Sequence, residues 1–148
     1  MTIGDFDEIG SNIKSQNQQL YEDLIDHIIG QTSNGKISWY YNPFSSAFLY
    51  KDGSLDLFLC KRALMRDKES KSFLFFKKNG QTESWEELSL YINDIKIVHN
   101  YKTRETLIGS EKFNFEQKLD LLWKVVSEKK EEKHINYIKS KIEQIKKL

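Results

Sequence analysis

Apolar residues change their spacing twice along this chain, and neither an all-helical nor an all-strand fold accommodates both changes. Near the start, Ile13, Leu20, Leu24 and Ile28, with Tyr21, Ile25 and Ile29 beside them, recur every three or four residues, the stripe of an amphipathic helix. Ser11 is placed to cap such a helix, and Gly30 and Gly35 supply the permissive backbone that ends it, so the spacing predicts a helix over 11–29. The period then shortens to two. Leu55, Leu57 and Leu59 alternate with Asp56, Phe58 and Cys60, and Ile95, Ile97 and His99 alternate with Lys96, Val98 and Asn100.

Strands are expected over 36–41, 47–50, 55–60, 72–77 and 95–100. Asn42-Pro43, Lys51-Asp52-Gly53 and Asn79-Gly80 supply breaks and turns between them. Residues 62–71 are polar enough for an exposed loop. Ser84 can cap a short helix over 82–91 that carries Trp85, Leu88 and Tyr91. The predicted class is α+β: a mostly antiparallel sheet of about five strands, an N-terminal helix, a short helix and a long C-terminal helix. The long helices are expected to cover one face of the sheet.

The last segment carries two apolar sets. Leu119, Leu122 and Val126, flanked by Leu121 and Val125, form one; Ile135, Ile138, Ile142 and Ile145 form the other. At about 100° per residue from Leu122, the second set centres near 180°, on the opposite side of a helix. Either the helix breaks within 127–134, or one helix uses its first half for packing and presents the second to something else. Residues 1–126 are accordingly read as a core domain and 127–148 as its charged helical extension. The isoleucines have coiled-coil spacing but span under two heptads, too little to stand alone.

At 148 residues the chain is sized for one domain, and 13% aromatic residues are too many for a disordered one. Cys60 is the only cysteine, so no internal disulfide forms and a reducing compartment is the natural setting. The first ten residues carry Asp5, Asp7 and Glu8 in place of a basic start and apolar run, which argues against a signal peptide. No stretch of about 18 apolar residues exists to span a membrane. A cytoplasmic location without membrane attachment is expected.

The net charge of +1 conceals separation. Six acids face Lys14 alone in the first thirty residues, seven lysines outnumber four glutamates in the last 22, and 61–78 holds seven bases against Asp67 and Glu69. In that middle run Lys61, Arg62, Arg66, Lys68, Lys71, Lys77 and Lys78 interleave with Phe73, Phe75 and Phe76, a composition that can hold single-stranded nucleic acid. Alternation makes both faces of 73–76 apolar, for which burial is the simpler explanation.

Little else carries chemistry. His27, His99 and His134 are far apart and lack metal-ligand spacing, and the seven glycines are dispersed among turns, unlike a phosphate loop. His27 suits the C-terminal dipole of the first helix. Cys60 sits in an aliphatic strand, as an inert buried thiol would, although Lys61 and Arg62 would lower its pKa if it were exposed. Asp94-Ile95-Lys96 resembles half of a metal-dependent nuclease site, with Asp56 as a second carboxylate. No cofactor site is expected.

The segment Thr32-Ser33-Asn34-Gly35-Lys36-Ile37-Ser38-Trp39 resembles a T-x-x-G-K-I-x-W motif found in a broad group of small, uncharacterised bacterial and phage proteins, where a helix ends and a strand begins. Leu121-Leu122-Trp123 on a late helix is similar as well, while the lysine-rich tail departs from the group. The resemblance implies that Ile37 and Trp39 share a strand face and fill the core, with Trp123 closing it from behind. It implies no catalysis. The expected function is therefore a non-catalytic interaction protein, a regulator, inhibitor or immunity-type factor of bacterial or phage origin. Its partner is expected to be another protein or a second copy, bound through Ile135, Ile138, Ile142 and Ile145. Nucleic-acid binding through 61–78 and a metal-dependent nuclease are the alternatives.

Overall fold

The computed structural model describes the backbone of residues 3–67 and 82–148, and the side chains of 15–66 and 83–148. Helix α1 (Ile3–Ser33) precedes seven strands, β1 (Tyr40–Asn42), β2 (Ala47–Asp52), β3 (Leu55–Asp67), β4 (Thr82–Ile92), β5 (Ile95–Asn100), β6 (Glu105–Ile108) and β7 (Glu111–Phe113), and helix α2 (Glu116–Lys146) closes the chain. The backbone groups into two compact units, a helical one of 1–40 with 117–148 and a sheet unit of 41–116. The α+β class holds, with long helices at both ends and an antiparallel sheet between them in sequence.

In the sheet unit the strands lie side by side in chain order, and every pair from β2 to β7 runs antiparallel. Apart from the link between β3 and β4, connections are short because neighbours in sequence are neighbours in the sheet. Gly53 opens the two-residue β2–β3 turn at φ 56°, the left-handed region where a side chain is strained. Asn93 takes the same region in the β4–β5 turn. Its amide nitrogen donates to the Ser54 carbonyl while its oxygen accepts from Asp56 N–H, so one side chain ties two hairpin ends together.

Register sorts the two faces. Phe48, Leu59, Leu90, Ile97 and Ile108 stand opposite one another across five strands, and all five are buried. The reverse face carries Phe58, Tyr91 and Lys96 in one row and Cys60, Ser89, Val98 and Leu107 in the next. That face is mixed in polarity and only partly buried.

In the helical unit, Ile25 and Ile28 of α1 and Leu119, Leu122 and Val126 of α2 are buried. Lys118 donates to both carboxylate oxygens of Asp26, at 2.8 and 2.7 Å, joining the two helices. Lys133 farther along α2 donates to Ser38 Oγ and the Trp39 carbonyl.

The element order differs from expectation at definite places. Seven strands replace five: β6 and β7 are four and three residues long, too short to show a period. The expected short helix over 82–91 is strand β4, bonded on both sides. Trp85, Leu88 and Tyr91 fit a helical spacing, but Leu88, Leu90 and Ile92 also fit a period of two, and pairing with β3 and β5 decides between them. The described part of the expected 62–71 loop continues β3 to Asp67. Ser11 lies inside α1, which runs to Ser33, and Leu20 of the expected apolar stripe is exposed. The expected strand over 72–77 and turn at Asn79-Gly80 lie outside the described residues.

The first strand starts at Tyr40, so Ile37 and Trp39 precede it. Trp39 is buried for another reason: its indole N–H donates to Thr32 Oγ1 at 2.9 Å, and that hydroxyl donates to the Ile28 carbonyl at 2.8 Å. Gly35 at φ 77° turns the chain so that Lys36 and Ile37 N–H both reach the Gln31 carbonyl.

Candidate interaction surface

Helix α2 is continuous from Glu116 to Lys146, so the break considered within 127–134 does not occur. Glu116 places a carboxylate in the first turn, where it complements the helix dipole, and Asn114 Oδ1 accepts from its N–H. Without a break the opposed apolar sets must face opposite ways, as the period of 3.6 requires. Leu119, Leu122 and Val126 are buried, whereas every residue of 131–148 is exposed.

Ile135, Ile138, Ile142 and Ile145 are 50%, 45%, 45% and 67% exposed. They fall within an arc of about 80°, the width of a coiled-coil seam. Single exposed apolar residues are ordinary on protein surfaces, whereas these four β-branched ones lie in one line. In heptad terms Ile135 and Ile142 stand at a, Ile138 and Ile145 at d. The positions beside them, e and g, then hold Lys139, Lys146, His134 and Lys141. Heptad numbering of the sequence identifies these flanking bases, although the isoleucine spacing alone does not point to them.

The basic run has a different character once folded. Arg62 pairs in register with Glu87, and Arg66 with Glu83, to which it donates at 2.8 Å. Lys61 lies 3.9 Å from Glu86 and over the Tyr101 ring, and Lys102 also bonds Glu83. The described bases of β3 thus face an acidic strand, which cancels much of the field that would attract a phosphate backbone. Lys68, Lys71, Lys77 and Lys78 lie outside the described residues.

On the mixed sheet face, Arg62, Ser89, Tyr91, Lys96, Val98 and Leu107 help line a hollow of about 380 Å³. The residues of the nuclease reading lie near one end of the sheet: Asp94 follows Asn93 in the turn that binds Asp56, and Lys96 sits over the Tyr91 ring. Among the described residues, no three His, Cys, Asp or Glu side chains group to hold a metal ion. Cys60 is buried, which pushes its thiol pKa up, an effect that Arg62 only partly offsets.

His27 is exposed and lies within α1, six residues before its end, with Nδ1 2.7 Å from the Asp23 carbonyl. His99, which has no partner in the local sequence, is fully buried. Its Nδ1 lies 2.9 Å from Thr106 Oγ1 and its Nε2 3.1 Å from Glu116 Oε1. Thr106 Oγ1 also accepts from Phe115 N–H at 3.0 Å, so both ring nitrogens of His99 and the hydroxyl beside it have hydrogen-bond partners. Arg104 holds the other carboxylate oxygen of Glu116 at 3.1 Å. This satisfied network ties β5, β6 and the start of α2, and it offers no free nucleophile.

Among the described residues, no helix is long and apolar enough to cross a membrane. Comparison with protein-family models, with characterised proteins and with solved structures found no match.

Proposed function

We propose that this chain is a non-catalytic interaction protein that binds another protein through the C-terminal half of α2. The observation that carries this reading is a continuous helix whose last two heptads are wholly exposed yet keep four isoleucines in one line. Such a seam is too short to form a coiled coil unaided, so it needs a partner to bury it. A regulator, inhibitor or immunity-type factor of bacterial or phage origin fits a chain of this size with that motif at Thr32 to Trp39.

The test compares the full chain with an Ile138→Asp/Ile142→Asp variant. Proteins captured by the full chain from source cells are purified and titrated against both. A captured protein that binds the parent and loses at least about a hundredfold in affinity for the variant supports the reading, since two buried charges face an apolar contact. Equal binding to both would refute it.

A further inference from the structure

The flanks of the isoleucine seam specify what can lie beside it. Between His134 and Lys146 the four e and g positions hold His134, Lys139, Lys141 and Lys146, while Glu143 stands at b, away from the seam. The contacts of these lysines within α2 are exposed and easily exchanged: Lys141 donates to Gln144 at 3.2 Å and lies over the Tyr137 ring, and Lys146 is 3.6 Å from Glu143.

Three occupants can be compared. A second copy in parallel sets Lys141 against its partner's Lys146; in antiparallel it sets Lys139 against Lys139 and Lys141 against Lys141, and only Glu132 against Lys146 at the ends is favourable. An anionic membrane requires a broader apolar face, with aromatic or leucine side chains, than this arc of about 80°. A partner helix with carboxylates beside its own apolar stripe meets both features, the isoleucines with its stripe and the lysines with its acids.

We propose that residues 134–146 dock an acidic amphipathic helix of a partner protein. Ile135, Ile138, Ile142 and Ile145 bury its apolar stripe, and Lys139, Lys141 and Lys146 pair with its Glu or Asp side chains. The assignment rests on the interaction reading above and adds the chemistry of the partner.

Two synthetic three-heptad peptides with leucine at a and d, one with glutamate and the other with lysine at e and g, are titrated against the full chain by calorimetry. Three exposed ion pairs of ordinary strength correspond to about a tenfold preference for the glutamate peptide at low salt. The preference should shrink at about 0.5 M salt, where screening is strong. A Lys139→Glu/Lys141→Glu/Lys146→Glu variant should prefer the lysine peptide, and circular dichroism checks that each variant remains folded.

Equal affinity for both peptides, abolished by Ile138→Asp/Ile142→Asp, would overturn the acidic partner and leave the seam. Binding by neither peptide, or binding that the isoleucine substitutions do not change, would overturn both. Tighter binding to phosphatidylserine vesicles, or a dimer in sedimentation equilibrium that the isoleucine substitutions dissolve, would assign the surface to a membrane or to a second copy instead.

Discussion

The Thr32 hydroxyl has more bonds to satisfy than its size suggests. It accepts from the Trp39 indole and donates to the Ile28 carbonyl, and both side chains are buried. Thr32→Val keeps the shape but strands the indole N–H away from water, so it should destabilise the fold by about 1–3 kcal/mol. Urea unfolding of Thr32→Val, Trp39→Phe and the double variant measures this. The coupling should be about 1 kcal/mol, and additive single effects would show that the bond contributes nothing. The T-x-x-G-K-I-x-W segment is readable in the sequence, but its wiring is not. Spacing places Trp39 on a strand face, whereas a bond seven residues back across the Gly35 turn places it before the strand. His99 is similar, because Thr106 and Glu116 reach it only after the β5–β6 hairpin and the start of α2 are formed.

At the scale of elements, α2 is divided by burial without being divided by structure. Its first half buries Leu119, Leu122 and Val126, while 131–148 buries nothing. A chain ended after Lys129 should therefore remain cooperatively folded. It loses the Lys133 contacts with Ser38 and Trp39 and the i,i+3 pairs Lys129–Glu132 and Lys146–Glu143, interactions of a few tenths of a kcal/mol each when exposed. Its melting temperature should fall by no more than about 5 °C. A larger fall, or loss of cooperativity by calorimetry, would show that the tail belongs to the folded body. Strand β4 gives the opposite lesson. Its apolar residues fit two periods, and only hydrogen bonding to β3 and β5 selects one of them.

For the whole molecule, two groups in different units link stability to alkaline pH in the same direction. Burial raises the Cys60 pKa, so the folded state keeps a neutral thiol that the unfolded chain would ionise. That contribution is complete below the unfolded thiol pKa of about 8.5 and is lost as pH rises through the folded one. The hydrogen bond to Asp26 raises the Lys118 pKa, so its contribution is complete below about 10.4 and is lost as pH rises beyond the folded value. The urea midpoint should thus decline from about pH 8.5 upward, and in Cys60→Ala the decline should begin nearer pH 10. Identical profiles for the two proteins would remove Cys60 from this account. The same burial predicts that the thiol reacts with an aromatic disulfide reagent far more slowly in buffer than in denaturant.

Local period and turn chemistry suffice for the α+β class, the two terminal helices, a mostly antiparallel sheet and the opposed apolar sets of α2. Tertiary structure decided what local period leaves open. It chose strand over helix for β4, added β6 and β7 as short strands stabilised by their neighbours, and placed glutamates opposite the bases of β3. It also carried α2 unbroken through its charged stretch, leaving the isoleucines exposed. For the strands the physical reason is the same in each case. Residues distant in sequence supply the hydrogen bonds, charges and buried area that separate conformations of nearly equal local free energy.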